Sequence, residues 1–152
     1  MAHRVIVWGT GNVGQAALRA VLADPELVLA GVVVADPAKV GRDAGELCGR
    51  PPVGVVASDD AAAVLAAGAD AVAYCASGAF RPDAALADVE RCLRAGCSVV
   101  TTALYPFYDP TGAPAELRER GEKACRAGGA SLFVSGIDPG WINDVLPLLM
   151  SG

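Results

Sequence analysis

One histidine, two lysines and 5% aromatic residues are all that this 152-residue chain carries of those types, and each shortage removes a chemistry. His3 stands alone at the terminus, ahead of the first apolar run, so neither a histidine-based metal centre nor a Ser/His or Cys/His pair can be assembled. Lys39 and Lys123 do not follow a tyrosine by four positions, which excludes the Tyr-x-x-x-Lys arrangement. A Gly-Lys-Ser/Thr phosphate loop and a Gly-x-Ser-x-Gly elbow are missing as well. The five cysteines, Cys48, Cys75, Cys92, Cys97 and Cys125, are odd in number and contain no Cys-x-x-Cys pair. They support neither a disulfide framework nor a zinc site, and read as reduced thiols of a cytoplasmic protein. The chain enters an apolar strand by residue 4, without a signal peptide, and has no uninterrupted apolar run of bilayer length, so no membrane partner is expected. A net charge of -5, with arginines scattered and outnumbered by carboxylates, argues against nucleic acid as well.

What is abundant is apolar and small: 53% hydrophobic residues and 18 glycines, ample for one normal core. The glycines are placed. Arg4-Val-Ile-Val-Trp8 is an apolar run of strand length ending in Gly9-Thr10-Gly11-Asn12-Val13-Gly14, and Gln15 to Leu22 is good helix-forming sequence. Gly-x-Gly-x-x-Gly between a strand and a helix is a dinucleotide-binding fingerprint. Gly9 permits the tight turn, Gly11 removes the side chain that would hold a pyrophosphate off the backbone, and Gly14 allows close helix packing. A diphosphate then meets free N–H groups and a partial positive charge at the helix N-terminus. Trp8 stands where S-adenosylmethionine-dependent methyltransferases usually place an acid, which disfavours that use of the loop.

A second apolar run, Leu27 to Ala35, ends at Asp36, placed after Gly14 where a ribose-binding carboxylate is expected. It favours NAD over NADP, although Lys39 and Arg42 follow closely and can reach a 2′-phosphate. Strand-length and helical segments continue to alternate. The pattern predicts strands near 4–8, 28–34, 53–57, 70–75, 97–101 and 131–135, and helices near 12–23, 59–67, 82–95 and 114–127, with a short helical piece around Arg42 to Cys48. Ser58 or Asp59 is expected to cap the 59–67 helix. This is an α/β Rossmann fold, a doubly wound parallel sheet of six strands in order 3-2-1-4-5-6 with helices on both faces. Its switch point places Ala76, Ser77 and Gly78 and then Thr101 and Thr102 opposite the glycine loop. Cys75, at the tip of the fourth strand, reads as a small core residue.

After the sixth strand, Gly136-Ile-Asp-Pro-Gly140 leads into the apolar segment Trp141 to Met150, which Pro147 should interrupt. The expected organisation is a dinucleotide-binding domain over 1–140 and, over 141–152, the start of a helix leading to a substrate or dimerisation domain outside this chain. Trp141, Ile142, Val145, Leu146 and Leu149 form a helical stripe whose burial would make a homodimer.

Several of these segments resemble the amino-terminal domain of the dihydrodipicolinate reductase-like family, closest to its amine and 2,4-diaminopentanoate dehydrogenase branch: Trp8 to Gly14, Val40-Gly-Arg-Asp-Ala-Gly-Glu-Leu-Cys-Gly49, Val99-Val-Thr-Thr102, and Gly136 to Gly140 with Asp144-Val-Leu-Pro147. The resemblance spans nearly the whole chain but only the first half of such a protein. It implies an NAD(P)-binding domain of an oxidoreductase moving a hydride to or from an imine or amine, with Asp138 near the nicotinamide where relatives often have asparagine. Relatives with amine dehydrogenase activity carry a glutamate just after the motif at Val99 to Thr102; here the region reads Ala103-Leu-Tyr-Pro-Phe-Tyr-Asp109, with no glutamate. Tyr105 and Tyr108 are the nearby proton donors, though packing is the commoner use of such residues, and Asp138 can equally cap a helix. One nucleotide domain offers one wall of a hydride-transfer site, so this chain is expected to bind cofactor with little turnover. A non-catalytic dinucleotide-sensing module is the alternative.

Overall fold

The computed structural model describes residues 2–152. Six parallel strands, β1 His3–Trp8, β2 Leu27–Val33, β3 Ala57–Ser58, β4 Ala71–Tyr74, β5 Ser98–Thr101 and β6 Leu132–Val134, form one sheet in the order β3-β2-β1-β4-β5-β6. Helices α1 Asn12–Ala23, α2 Ala44–Leu47, α3 Ala61–Ala66, α4 Pro82–Arg94, α5 Ala115–Gly128 and α6 Leu146–Ser151 connect or follow them. The order reverses between β1 and β4, which is where the fold opens a crevice at the carboxyl ends of the strands.

Alternation along β1 divides the core in two. Ile6 and Trp8 join α3, α4 and α5 through Leu65, Val89, Leu93 and Ala124. Val5 and Val7 face the opposite way, against Leu18 and Val21 of α1 and Leu47 of α2. Burying each such side chain contributes about 1.5–3 kcal/mol. The expectation of helices on both faces is met unevenly: on the α1 side, Val100 of β5 and Phe133 of β6 are more than half exposed, and a groove of about 370 Å³ runs between Ala16, Ala20, Ala73 and Val100. Parallel sheets are ordinarily covered on both faces.

Four sequence expectations are corrected. His3 is inside β1, its N–H donating to the Glu26 carbonyl at 2.7 Å, because β1 pairs with β2 from its first residue. The third strand is not 53–57 but Ala57–Ser58. Pro51 and Pro52 precede Gly54, whose φ is 81, and the Asp43 carboxylate accepts from the N–H groups of Val53 and Gly54 at 2.9 and 2.8 Å, turning the chain where a strand was expected. The cap of α3 is neither Ser58 nor Asp59 but Asp60, which accepts from Ala63 N–H at 2.9 Å, while Ser58 Oγ accepts from Asp60 N–H. The expected interruption at Pro147 is not a break: Val145 and Leu146 both keep right-handed helical backbone, the winding only changes at Leu146, and this proline falls in the first turn of α6, where its missing N–H is tolerated.

Candidate active site

The glycine loop is shaped by three different contacts. Gly9 has φ 95, and a Cβ there would stand 2.9 Å from the Ala76 nitrogen. A Cβ on Gly14 would collide with the Gly9 carbonyl oxygen. Gly11 differs: nothing lies within 4 Å of its would-be Cβ. It is the N-terminal flank of α1, and no side chain caps that helix. The N–H groups of the first turn therefore face open space, where an anion would be held by hydrogen bonds and dipole together.

Around this terminus the crevice has two contiguous parts. The smaller, about 220 Å³, lies between Gly11, Asn12 and the loop Ala76, Ser77 and Gly78. The larger, about 520 Å³, runs from Asn12, Val13 and Ala16 across Thr102 to Ser135, Gly136 and Asp138. Gly78 is required by neighbours, since a Cβ there would come within 2.9 Å of Ala103 Cβ, so the loops after β4 and β5 touch directly. The Thr101 side chain is turned inward: it is buried, its hydroxyl donates to the Tyr74 carbonyl at 2.8 Å and accepts from Ala103 N–H at 2.9 Å. Thr102 is the threonine that lines the crevice. Cys75 is half-buried at the floor of the smaller part rather than in the core, and burial pushes its thiol up to about 11. It is protonated, and hence a poor nucleophile, at neutral pH.

At the far end of β2, Asp36 Oδ1 accepts from Ala38 N–H at 3.0 Å and caps the turn Pro37–Lys39. The Lys39 ammonium donates to the Thr10 carbonyl at 3.2 Å, linking this turn to the glycine loop. Arg42 is exposed on the strip that joins Ala57, its carbonyl accepting from Ala57 N–H. Asp138 does not cap a helix. Its backbone is extended, at φ -146 and ψ 111, Pro139 and Gly140 are also non-helical, and the chain winds only from Trp141, whose N–H reaches back to the Gly136 carbonyl at 2.8 Å.

Ser135, Gly136 and Pro139 line the crevice without having been singled out as site residues, and Tyr105, named above as a nearby proton donor, lines it too. The signal for the first three was the topology itself: in this strand order the loop after β6 returns beside β5, and Ser135 N–H extends that pairing to the Thr101 carbonyl at 3.0 Å.

The family model described as dihydrodipicolinate reductase, N-terminus, matches residues 3–105. An amine dehydrogenase of Streptomyces virginiae is 60% identical over 148 residues, which are 97% of this chain and 41% of the relative. A 4-hydroxy-tetrahydrodipicolinate reductase of Rubrobacter xylanophilus is 51% identical over 59 residues, 38% of this chain and 23% of that protein. Among solved structures, an amine dehydrogenase from Mycobacterium smegmatis superposes with a TM-score of 0.75 at 27% identity, over 99% of this chain and 44% of that one. The chain thus spans less than half the length of the relatives it matches.

Proposed function

The chain belongs to the dihydrodipicolinate reductase family, matching its amino-terminal part, and on that premise we propose that residues 1–140 are the NAD(P)-binding domain of an oxidoreductase acting on a C=N or CH–NH₂ group. Residues 141–152 then lead towards a substrate domain. The observation that carries the reading is the pairing of an open, uncapped α1 terminus at Gly11 with a crevice that continues past Thr102 to Asp138. The likeness to proteins named amine dehydrogenase supports the choice of nitrogen chemistry.

The residues present fit a nicotinamide dinucleotide. The first turn of α1 would hold the diphosphate, Asp36 Oδ2, which has no partner among the described residues, would accept from the adenosine ribose, and Ala76, Ser77, Gly78, Thr102 and Asp138 would surround the nicotinamide end. When bound, the cofactor supplies or accepts the hydride, and this chain contributes orientation: backbone donors for charge, small residues for close approach, and walls that exclude water from one side. The reading favours NAD over NADP, because a carboxylate stands where the ribose would lie and Lys39 is engaged by the Thr10 carbonyl. A cytoplasmic location belongs to the same proposal and is supported by the five free cysteines. It also leaves Trp141, Ile142, Val145 and Leu149 exposed for a homodimer, which concentration-dependent sedimentation would reveal. Among the described residues no helix is long and apolar enough to cross a membrane.

Calorimetric titration with NADH and NADPH tests the site. Binding of NADH by the wild type, abolished in Gly11→Val, is the expected result; equal binding by both proteins would remove the glycine loop from the site.

A further inference from the structure

The loop after β5 presents a half-exposed aromatic side chain at the wall of the crevice. Leu104 has φ 61, the one non-glycine residue with positive φ among the described residues. That conformation is strained for a leucine, and the turn persists because Leu104 is buried in the core. Its consequence is the direction taken by the next residues. Phe107 goes inward against Gly121, and the Tyr108 hydroxyl is engaged by Asp144 at 2.6 Å. Tyr105 goes outward, 54% exposed, and borders both parts of the crevice and a third hollow of about 290 Å³ beside Leu86 and Leu117. Among the described residues its hydroxyl makes no hydrogen bond.

A half-exposed tyrosine with no hydrogen bond to its hydroxyl among the described residues, at a wall shared by three hollows, is suited to meet a flat polar ring. Position decides which ring. The diphosphate belongs at Gly11, and the adenosine ribose at Asp36 lies on the β2 side of the switch point, so the β5 loop falls on the opposite, nicotinamide side. We propose that Tyr105 is a positioning residue for the nicotinamide ring, its aromatic face packing on the ring and its hydroxyl turned to the carboxamide or to the substrate nitrogen. The inference rests on the dinucleotide reading above.

The test uses two probes, NADH and ADP-ribose, which lacks the nicotinamide, titrated against wild type, Tyr105→Ala and Tyr105→Phe. Tyr105→Ala is expected to weaken NADH about tenfold, as the loss of one aromatic contact would, while ADP-ribose is held as by the wild type. Tyr105→Phe keeps the ring and should stay within about threefold for NADH. Equal weakening of both probes by Tyr105→Ala, or no weakening of either, overturns the inference while leaving the dinucleotide site intact. Failure of the wild type to bind either probe overturns both readings together. Tyr105 is exposed, so unchanged urea midpoints verify that the variants fold.

Discussion

The Tyr108 hydroxyl donates a 2.6 Å hydrogen bond to Asp144 Oδ1, closing a span of 36 residues between the β5 loop and the segment after β6. The Asp144 carboxylate, as acceptor, raises the Tyr108 pKa above its ordinary value. A group raised on folding stabilises the native state below its unfolded pKa and loses that contribution as pH climbs through the folded one. The tether therefore holds at neutral pH and opens in strong alkali. In Tyr108→Phe, hydrogen exchange at Trp141 and the residues after it is expected to quicken several-fold with the sheet amides unchanged. Exchange that quickens evenly throughout the chain would show that the bond supports the whole fold instead.

Gly14 and Gly11 should separate stability from binding. Gly14→Ala drives a methyl group into the Gly9 carbonyl and is expected to cost about 1–3 kcal/mol or more in urea unfolding. Gly11→Val meets open space and should stay within about 1 kcal/mol of wild type while losing NADH. The reverse order of stabilities would contradict the loop geometry.

Cofactor choice turns on the Asp36 charge, which can be removed without removing the cap. Serine keeps an acceptor for the Ala38 N–H that Asp36 now receives at 3.0 Å. Asp36→Ser is expected to move the ratio of NADPH to NADH affinity towards NADPH by about tenfold. An unchanged ratio would shift attention to Arg42.

Acid should act through Asp43. Backbone N–H groups of Val53, Gly45 and Gly54 hold this carboxylate below its ordinary pKa, with Val53 the largest contributor. The resulting stability is complete above the unfolded value and lost as pH falls through the lowered folded one. Asp43→Asn is therefore expected to unfold at lower urea than wild type at neutral pH, with the gap narrowing as the solution is acidified. A gap independent of pH would mean that geometry, not charge, is what the asparagine fails to reproduce.

Much of this was legible in residues 4–36. A strand, three glycines and a following carboxylate describe local geometry, and local geometry needs no knowledge of the rest of the chain. The helix over 12–23 and the six-strand order were readable for the same reason, since alternating patterns and right-handed crossovers leave few arrangements. The third strand was misread because apolar Val53 and Val55 have strand composition, while the feature that turns them, Asp43, lies ten residues away from Val53 in sequence. Thr101 and Thr102 are alike as neighbours in sequence, yet the pleat sends the Thr101 hydroxyl to the β4 carbonyl and leaves Thr102 lining the crevice.

Sequence by itself determined the fold class, the glycine loop and the side of the sheet on which a ligand belongs, because periodicity and backbone freedom are properties of short segments. Tertiary structure decided which side chains reach that ligand's place. Tyr105 turns outward, Tyr108 is taken by Asp144, and Asp138 is an extended wall residue rather than a cap, since each outcome depends on where distant strands set the neighbouring loops.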